Sequence, residues 1–369
     1  MQPGEFSILA INPGSTSTKM ALYANERPGF VANIRHSDDE LAQFRGRPIL
    51  DQQQFRCARI EAALTEAGHN LSQLHAVVGR GGLLPALASG TYLVDQGMLE
   101  ELRLARRGEH ASNLGAFLAH DLAQKAGVRA YVVDPVSVDE WPEFVRLSGS
   151  ALLKRQCLSH ALNSKAVAKR YALEREEPYQ SLRLIAAHLG SGISVSAHES
   201  GLMVDVTNSR EEGAFSTERA GAVPVMQLVD LCFSGRYTQK QVEGLLFCES
   251  GLYSYLGTKD LEEVERRIDG GEAEARTVFD AMVYQIAKEI GAMAAVLHGR
   301  VDAVLVTGGM AHSQRLIEAL TEYVSWIAPV AVYPGEDELR ALVEGVLRVL
   351  RREERSRTLA LGSAAMAEV

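Results

Sequence analysis

Ile8-Leu9-Ala10-Ile11-Asn12-Pro13-Gly14-Ser15-Thr16-Ser17-Thr18-Lys19-Met20-Ala21-Leu22-Tyr23 joins an apolar run to a second β-compatible run through a small, hydroxyl-rich turn. The turn offers many phosphate-compatible donors: backbone N–H groups around Gly14, the hydroxyls of Ser15, Thr16, Ser17 and Thr18, the Asn12 amide and the Lys19 ammonium. Pro13 has no N–H to give, but it holds its own φ fixed and stiffens the turn. Backbone nests of this kind bind phosphate because their N–H groups are oriented before the ligand arrives. No Gly-Lys-Ser/Thr follows a glycine and four residues, so this is not the common phosphate loop. Taken alone, the stretch reads equally well as a surface β-hairpin with Ser and Thr in its turn. The rest of the chain has to decide.

A chain of 369 residues exceeds what one hydrophobic core usually serves, so two domains are expected. With 46% hydrophobic and 23% charged residues, the composition is that of an ordinary globular protein. A formal charge of −9 argues against nucleic acid as a partner, which calls for a basic surface. It leaves a phosphate site open, because lysines and arginines can cluster locally. Cys57, Cys157, Cys232 and Cys248 show no pairing or histidine spacing suited to zinc, and read as free, buried thiols. Met1-Gln2-Pro3-Gly4-Glu5 lacks the basic and apolar regions of a secretion signal, and no stretch approaches the roughly 20 apolar residues that span a bilayer. The expectation is a cytoplasmic protein without a membrane partner.

Outward from the opening stretch, strands are expected at Phe6–Ile11, Lys19–Tyr23 and Gly29–Arg35, with connectors short enough for antiparallel pairing. Asp51–Ala67 reads as an amphipathic helix, Leu74–Gly79 as a buried strand, Asp95–Arg107 and Ser112–Gly127 as helices, and Arg129–Val133 as a strand. The second half repeats the theme. A helix at Ser159–Tyr171 precedes strands at Arg183–Ala187, Ile193–His198 and Leu202–Val206. Residues 225–300 read as mostly helical, with a glycine-rich interruption at Gly244–Gly257 and a long helix at Ala275–His298. Val301–Val306 is a β-branched strand, and a last helix is expected over about Glu338–Arg352. A small-residue segment, Leu359–Met366, follows it. The pattern is α/β in layers. Strand, glycine-rich turn, strand occurs twice, at Asn12–Lys19 and at His188–Ser194, which suggests two similarly built domains that each offer a turn to a shared cleft.

In open α/β sheets, ligands sit beyond the carboxyl ends of strands. Those ends carry Asn12 to Lys19, Arg80, Asp134, His188 to Gly192, and Gly308-Gly309. Phosphoryl transfer needs such a set: donors to hold phosphates, arginine to neutralise equatorial oxygens, and carboxylate for magnesium. Arginine suits phosphate because its planar fork donates in parallel pairs. Each residue also has a plainer reading. Arg80 can be an exposed turn residue, Asp134 a turn cap, and His188, His110 and His160 packed histidines.

The whole series resembles a known family. Asn12-Pro13-Gly14-Ser15-Thr16-Ser17-Thr18-Lys19, Val78-Gly79-Arg80-Gly81-Gly82-Leu83-Leu84, His110-Ala111-Ser112-Asn113-Leu114-Gly115-Ala116 and Val133-Asp134-Pro135 are similar to butyrate kinases, within the acetate kinase family of actin-like phosphotransferases. So are Ser159-His160-Ala161-Leu162-Asn163, Ala187-His188-Leu189-Gly190-Ser191-Gly192-Ile193-Ser194 and Glu218-Arg219-Ala220-Gly221. Val306-Thr307-Gly308-Gly309 and Tyr333-Pro334-Gly335-Glu336-Asp337-Glu338 complete the series in order.

The resemblance implies two actin-like (ribonuclease H-like) domains of mixed sheets with flanking helices and a cleft between them. The N-terminal domain would span 1–139 plus about 341–369, with the C-terminal helix returning to it, and the nucleotide-binding domain 140–340. The implied reaction is reversible transfer of a phosphoryl group between ATP and a short-chain carboxylate, with ATP/ADP and Mg²⁺ required and a homodimer or higher homo-oligomer as the assembly. Residue by residue, Asn12, Ser15, Ser17 and Lys19 match the first phosphate turn. Arg80 and Arg219 match the pair flanking the transferred group, and His160 the histidine at its equatorial oxygens. Asp134 and a carboxylate of Glu336–Glu338, taken as Glu338, match the magnesium-linked acids. His188, Gly190 and Gly192 match the second phosphate turn, Gly308, Gly309 and Asp260 the adenosine side, and His110 a further cleft histidine. Ser191 stands where the family pattern has glycine, and Asn208–Phe215 is poorer in glycine and proline than that pattern. The acetate-type Asn-Ser-Gly-Ser-Ser-Ser turn is absent, which points to butyrate or a branched relative over acetate. An acetate- or propionate-type kinase and a non-transferring actin-like ATPase remain the alternatives.

Overall fold

The computed structural model describes residues 5–359; the ends of the chain, including 360–366 of the small-residue segment and the tail of the expected domain return, lie outside the described residues. The chain forms two units, one that runs to Asp139 and resumes at Asp337, and one from Glu140 to Glu336.

The first unit begins with β1 (Ser7–Pro13), β2 (Ser17–Ala24) and β3 (Arg27–Arg35), an antiparallel meander as expected. Helices α1 (Asp38–Ala42) and α2 (Gln53–Glu66) follow, then β4 (Ala76–Arg80), β5 (Thr91–Leu93), α3 (Gln96–Leu104), α4 (Asn113–Ala126) and β6 (Arg129–Val133). The sheet order is β3-β2-β1-β4-β6-β5, with β1, β4 and β6 parallel. Ile8, Leu9, Ala10 and Ile11 are all fully buried, which is why β1 reads as an unbroken apolar run: both faces of a central parallel strand are covered. Leu9, Ile11 and Val77 pack with Ile60 of α2 and Leu114 and Leu118 of α4.

The second unit opens with a small hairpin, β7 (Leu147–Ser150) and β8 (Leu153–Lys154), and α5 (Ala161–Glu174). Its sheet is built from β9 (Leu184–Leu189), β10 (Ile193–Glu199) and β11 (Leu202–Val206). The helices α6 (Val225–Cys232), α7 (Gln239–Cys248), α8 (Gly251–Leu256), α9 (Leu261–Asp269) and α10 (Ala273–Val296) intervene before β12 (Ala303–Gly308), α11 (Gln314–Val324) and β13 (Val330–Pro334). The order β11-β10-β9-β12-β13, with β9, β12 and β13 parallel, repeats the meander-then-parallel plan of the first unit. Val278, Met282 and Ile286 of α10 pack on one face of this sheet, and Val167 and Tyr171 of α5 on the other. The last helix, α12 (Glu338–Leu350), belongs to the first unit and packs on β1, β4 and β6.

Two expectations need correction, and two small elements carry no sequence signal. The glycines between 244 and 257 do not interrupt the helical region as a block, because α7 runs through Gly244 and only Glu249-Ser250 separate it from α8. The short strand β5 and the β7–β8 hairpin carry too few residues to show a period. Cys57 and Cys157 are buried, but Cys232 and Cys248 are exposed, and all four are free. No helix among the described residues is long and apolar enough to cross a membrane.

Each unit buries a histidine in neutral form. Burial, and then the nearby Arg56 charge, pulls His36 from 6.5 to about 4. Burial beside Lys165 pulls His198 to about 3. An unfolded histidine takes up its proton near 6.5 while these two resist, so the unfolded state binds more protons on acidification. The stabilising difference is intact above pH 6.5 and is lost as pH falls toward 4. The expected outcome is a melting temperature that declines over that window, with a shallower decline in His36→Gln measured by scanning calorimetry.

Candidate active site

In the first unit the parallel strands β1, β4 and β6 end side by side at Pro13, Arg80 and Val133. Arg80 is placed by a backbone contact rather than by its side chain. A Cβ on Gly79 would lie 2.0 Å from the Gly115 carbonyl, and one on Gly115 2.1 Å from the Arg80 carbonyl. The start of α4 therefore rests directly on the end of β4, and only glycine at both positions allows it.

One carboxylate organises this edge. Glu338, the first residue of α12, pairs through Oε1 with Arg80 and accepts from the Asn12 amide through Oε2. Of the acidic triplet, Glu338 is thus the member at the β1 and β4 ends. Asp337 caps α12, accepting from the Arg340 N–H at 3.2 Å. Asp134 follows β6 with φ +38° and is 3% exposed. Its Oδ1 accepts from Ser89 Oγ at 2.6 Å and Gly90 N–H at 2.7 Å.

The first turn is tight: Gly14 N–H donates to the Ser17 carbonyl at 2.8 Å. Ser15, Thr16 and Lys19 are exposed and Ser17 half-buried, as a ligand-facing turn requires. Thr18 is the exception to the expected donor set. It is fully buried, and its hydroxyl meets His36 Nε2 at 2.9 Å and Arg56 at 3.1 Å. His110 is exposed ahead of α4, and its Nδ1 accepts from Ser112 N–H at 3.2 Å.

The second unit gathers its candidates at the end of β9. His188 is 1% exposed; its Nδ1 accepts from the Asn163 amide at 2.9 Å, and its Nε2 lies 3.0 Å from Glu336 Oε1. In the neutral ring this places the proton on Nε2, facing the carboxylate. Asn163 also donates to Thr307 Oγ1 at 3.1 Å, which in turn donates to the Gly335 carbonyl at 3.1 Å. His160 stacks on His188 with ring centroids 3.8 Å apart and planes 9° apart, and its Nδ1 lies 2.9 Å from Ser194 Oγ. His188 therefore supports His160 from behind.

Arg219 lies against the second turn. A Cβ on Gly192 would come within 2.6 Å of its Nη1, so glycine admits the guanidinium. Its Nη1 donates weakly to the Ser209 carbonyl at 3.4 Å and hydroxyl at 3.3 Å. Among the described residues no carboxylate pairs with it, and burial draws its pKa below the usual arginine value. A half-buried cation with neutral partners is poised for an anion. Ser216 closes the loop by donating to the Ser191 carbonyl at 2.5 Å and accepting from Arg219 N–H at 3.1 Å.

Beside this turn a cavity of about 430 Å³ is lined by Gly190, Thr217, Asp260, Gly309, Met310 and Ser313, among others. That volume suits a small organic ligand such as a nucleoside. Asp260 also caps α9, accepting from Glu262 N–H at 2.9 Å. Gly308, at φ +95°, lets β12 close on β9, since a Cβ there would meet the Leu189 carbonyl at 2.3 Å.

The structure thus brings Asn12, Arg80 and Glu338 together in the first unit, and His160 with His188, and Gly192 with Arg219, in the second. Gly190, Asp260 and Gly309 share one cavity. Among the described residues no group of three or more His, Cys, Asp or Glu side chains could hold a metal alone. Magnesium commonly binds through one or two carboxylates with phosphate and water, and single carboxylates of that kind stand after β6, at Asp134, and at the start of α12, at Glu338.

Residues 151–326 match the family model described as the Acetokinase family, and that segment holds His160, His188, Arg219, Asp260, Gly308 and Gly309. The structure aligns with Porphyromonas gingivalis acetate kinase at a TM-score of 0.77 and 19% identity, covering 94% of this chain and 100% of that one. Entamoeba histolytica acetate kinase aligns at 0.74 and 16%, covering 94% and 100%. This is the two-domain, actin-like fold of the acetate kinases. A propionate kinase from Francisella tularensis shares the acetate kinase fold at 0.71 and 17%, covering 92% and 98%.

Sequence reasoning passed over Arg56, Ser194, Ser209 and the division of labour within the acidic triplet. Asn208, beside Ser209, is fully buried with its Nδ2 unpartnered, and it too went unmarked. Each lies in an ordinary polar context, and only its tertiary partner gives it meaning.

The two glycine contacts predict opposite outcomes. Gly79→Ala forces backbone against backbone and is expected to cost at least about 2 kcal/mol, seen as a lowered melting temperature. Gly192→Ala meets only the tip of a flexible side chain. It is expected to leave stability within about 1 kcal/mol of the wild type, seen as a nearly unchanged melting temperature, while displacing the Arg219 guanidinium.

Proposed function

We propose that the protein is an ATP-dependent carboxylate kinase of the acetate kinase family, with butyrate or a branched relative as its preferred acid. The observation that carries this reading is Arg219, a half-buried guanidinium without a carboxylate partner, seated on the glycine turn next to a nucleoside-sized cavity. The Acetokinase match over 151–326 and the shared fold support it.

The chemistry needs no general base, because a carboxylate is already a nucleophile at pH 7. One carboxylate oxygen of the acid attacks the γ-phosphorus in line, the bond to the ADP oxygen breaks, and an acyl phosphate results. The barrier is largely repulsion between anions, so cations and oriented donors supply most of the catalysis. Arg80 and Arg219 balance charge around the transferring group, and His160, held by Ser194 and the His188 stack, donates to its equatorial oxygens. The turn Asn12–Lys19 and the turn His188–Gly192 hold phosphates, and Asp260, Gly308 and Gly309 border the adenosine. Asp134 and Glu338 are the residues that would hold magnesium, which supplies charge neutralisation on the nucleotide phosphates.

The preference for butyrate rests on the Asn-Pro-Gly-Ser-Thr-Ser-Thr-Lys turn. Each methylene changes discrimination by only about 1–3 kcal/mol, so acetate and propionate remain the second reading, favoured by the names of the structural neighbours. The family resemblance adds a homodimer or larger homo-oligomer in the cytoplasm.

The test is acyl phosphate formation, trapped with hydroxylamine, from ATP, magnesium and a chain-length series of acids. A maximum at four carbons is expected. ATP hydrolysis that ignores every acid would instead identify a non-transferring ATPase. Arg219→Ala and Arg80→Ala are each expected to lower kcat by about two to three orders of magnitude with nucleotide affinity changed only a few-fold. Equal loss of affinity with little loss of turnover would remove both residues from the catalytic step.

A further inference from the structure

The first phosphate turn has a cation behind it that no motif marks. Arg56, in the first turn of α2, is fully buried. Its Nη1 donates to the carbonyls of Gly14 at 2.8 Å and Ser17 at 2.9 Å, and its Nη2 to that of Ser15 at 3.0 Å. Nε and Nη2 both donate to Gln52 Oε1, at 3.0 and 2.8 Å. Every partner is a neutral oxygen. Two other enclosed cations are treated differently: Arg155 is paired with Glu212 and Asp205, and Lys165 with Glu140. An uncompensated buried charge is costly to a fold, and a glutamate at position 52 would have neutralised it.

The geometry gives that charge a use. In a trans peptide the N–H points opposite to its C=O. By drawing the Gly14 and Ser15 carbonyls inward, Arg56 turns the Ser15 and Thr16 N–H groups outward, where both residues are exposed. Thr18 Oγ1 accepts from the same guanidinium at 3.1 Å and is itself held by His36 Nε2 at 2.9 Å.

We infer that Arg56 is a positioning residue for phosphate: it shapes the Gly14–Thr18 turn into an outward-facing nest and lends it an unneutralised positive charge. This rests on the reading of that turn as a phosphate site. Arg56 does not touch the ligand. It acts through the turn's peptide groups and through its field, which carries over several ångströms because the guanidinium is fully buried behind the turn. Burial lowers its pKa only to about 10, so it stays charged at neutral pH.

The decisive variant is Gln52→Glu, which keeps size and contacts but supplies the missing carboxylate. Stability and binding should then move in opposite directions. The melting temperature of the free protein rises, while affinity for inorganic phosphate, measured by calorimetry, falls roughly five- to twentyfold. A purely structural Arg56 gives the rise in melting temperature with phosphate affinity unchanged, and that result overturns the inference. Should Gln52→Glu fail to fold, the wild-type protein still decides. Saturating phosphate is expected to shift the backbone amide resonances of Ser15 and Thr16, and their indifference to it also overturns the inference. If the wild type forms no acyl phosphate with any acid, yet these amides shift and Gln52→Glu weakens phosphate binding, the kinase reading fails and the nest stands. Acyl phosphate formation with neither change sinks the nest alone.

Discussion

The pairing of Glu338 with Arg80 and Asn12 ties together the parts of the first unit that are farthest apart in sequence. Asn12 lies at the end of β1, Arg80 at the end of β4, and Glu338 at the start of a helix that returns to the unit after the whole of the second has been built. A carboxylate is well placed in the first turn of a helix, where the peptide dipoles favour negative charge. Here it also gives Arg80 a counter-ion in the free protein. The consequence for chemistry is a contest. On the function proposed above, an anion that recruits Arg80, or a magnesium ion that recruits Glu338, has to draw on a contact already made. The resting pair holds both groups at the strand ends without leaving either charge bare.

Arg219 and Arg56 follow the opposite rule. Neither has a carboxylate, and burial lowers the pKa of both. Arg155, partly enclosed by its unit, has two acidic partners, and its pKa rises. The distinction separates cations compensated by carboxylates from cations held by neutral oxygens, the pattern expected, on the function proposed above, of groups kept for an anion. In a chain whose formal charge is −9, such a reserve has to be built locally, by withholding acidic neighbours and accepting neutral carbonyl, amide and hydroxyl oxygens in their place.

The strands that end at the candidate residues were legible in the sequence because they are apolar runs closed by glycine or, after β6, by Asp134-Pro135. β1, β4, β6, β9 and β12 announce themselves in this way, and Arg129–Val133 was placed to the residue. Arg56 was not legible. In sequence it is one more charged residue on an amphipathic helix, and only the fold shows that it faces inward. The same limit applies to the hydroxyls of the first turn. All four look alike in sequence, but strand alternation sends Thr18 inward to His36 and Arg56 while Ser15 and Thr16 stay exposed. β5 has only three residues, and its place at the sheet edge comes from its pairing with β6 rather than from any pattern of its own.

The acidic run Glu336-Asp337-Glu338 shows the same limit most sharply. Three adjacent carboxylates of nearly equal chemistry take three different duties: Glu336 meets His188, Asp337 caps α12, and Glu338 meets Arg80 and Asn12. The boundary between the two units falls between the first and the second of them. Glu336 therefore belongs to the end of β13 and Glu338 to the start of α12, so the element that each carboxylate closes, and not its position in the motif, determines its partner. A substitution at Glu336 should be understood through the His188–His160 stack, and one at Glu338 through the Arg80 pair, although a single residue separates them in the chain.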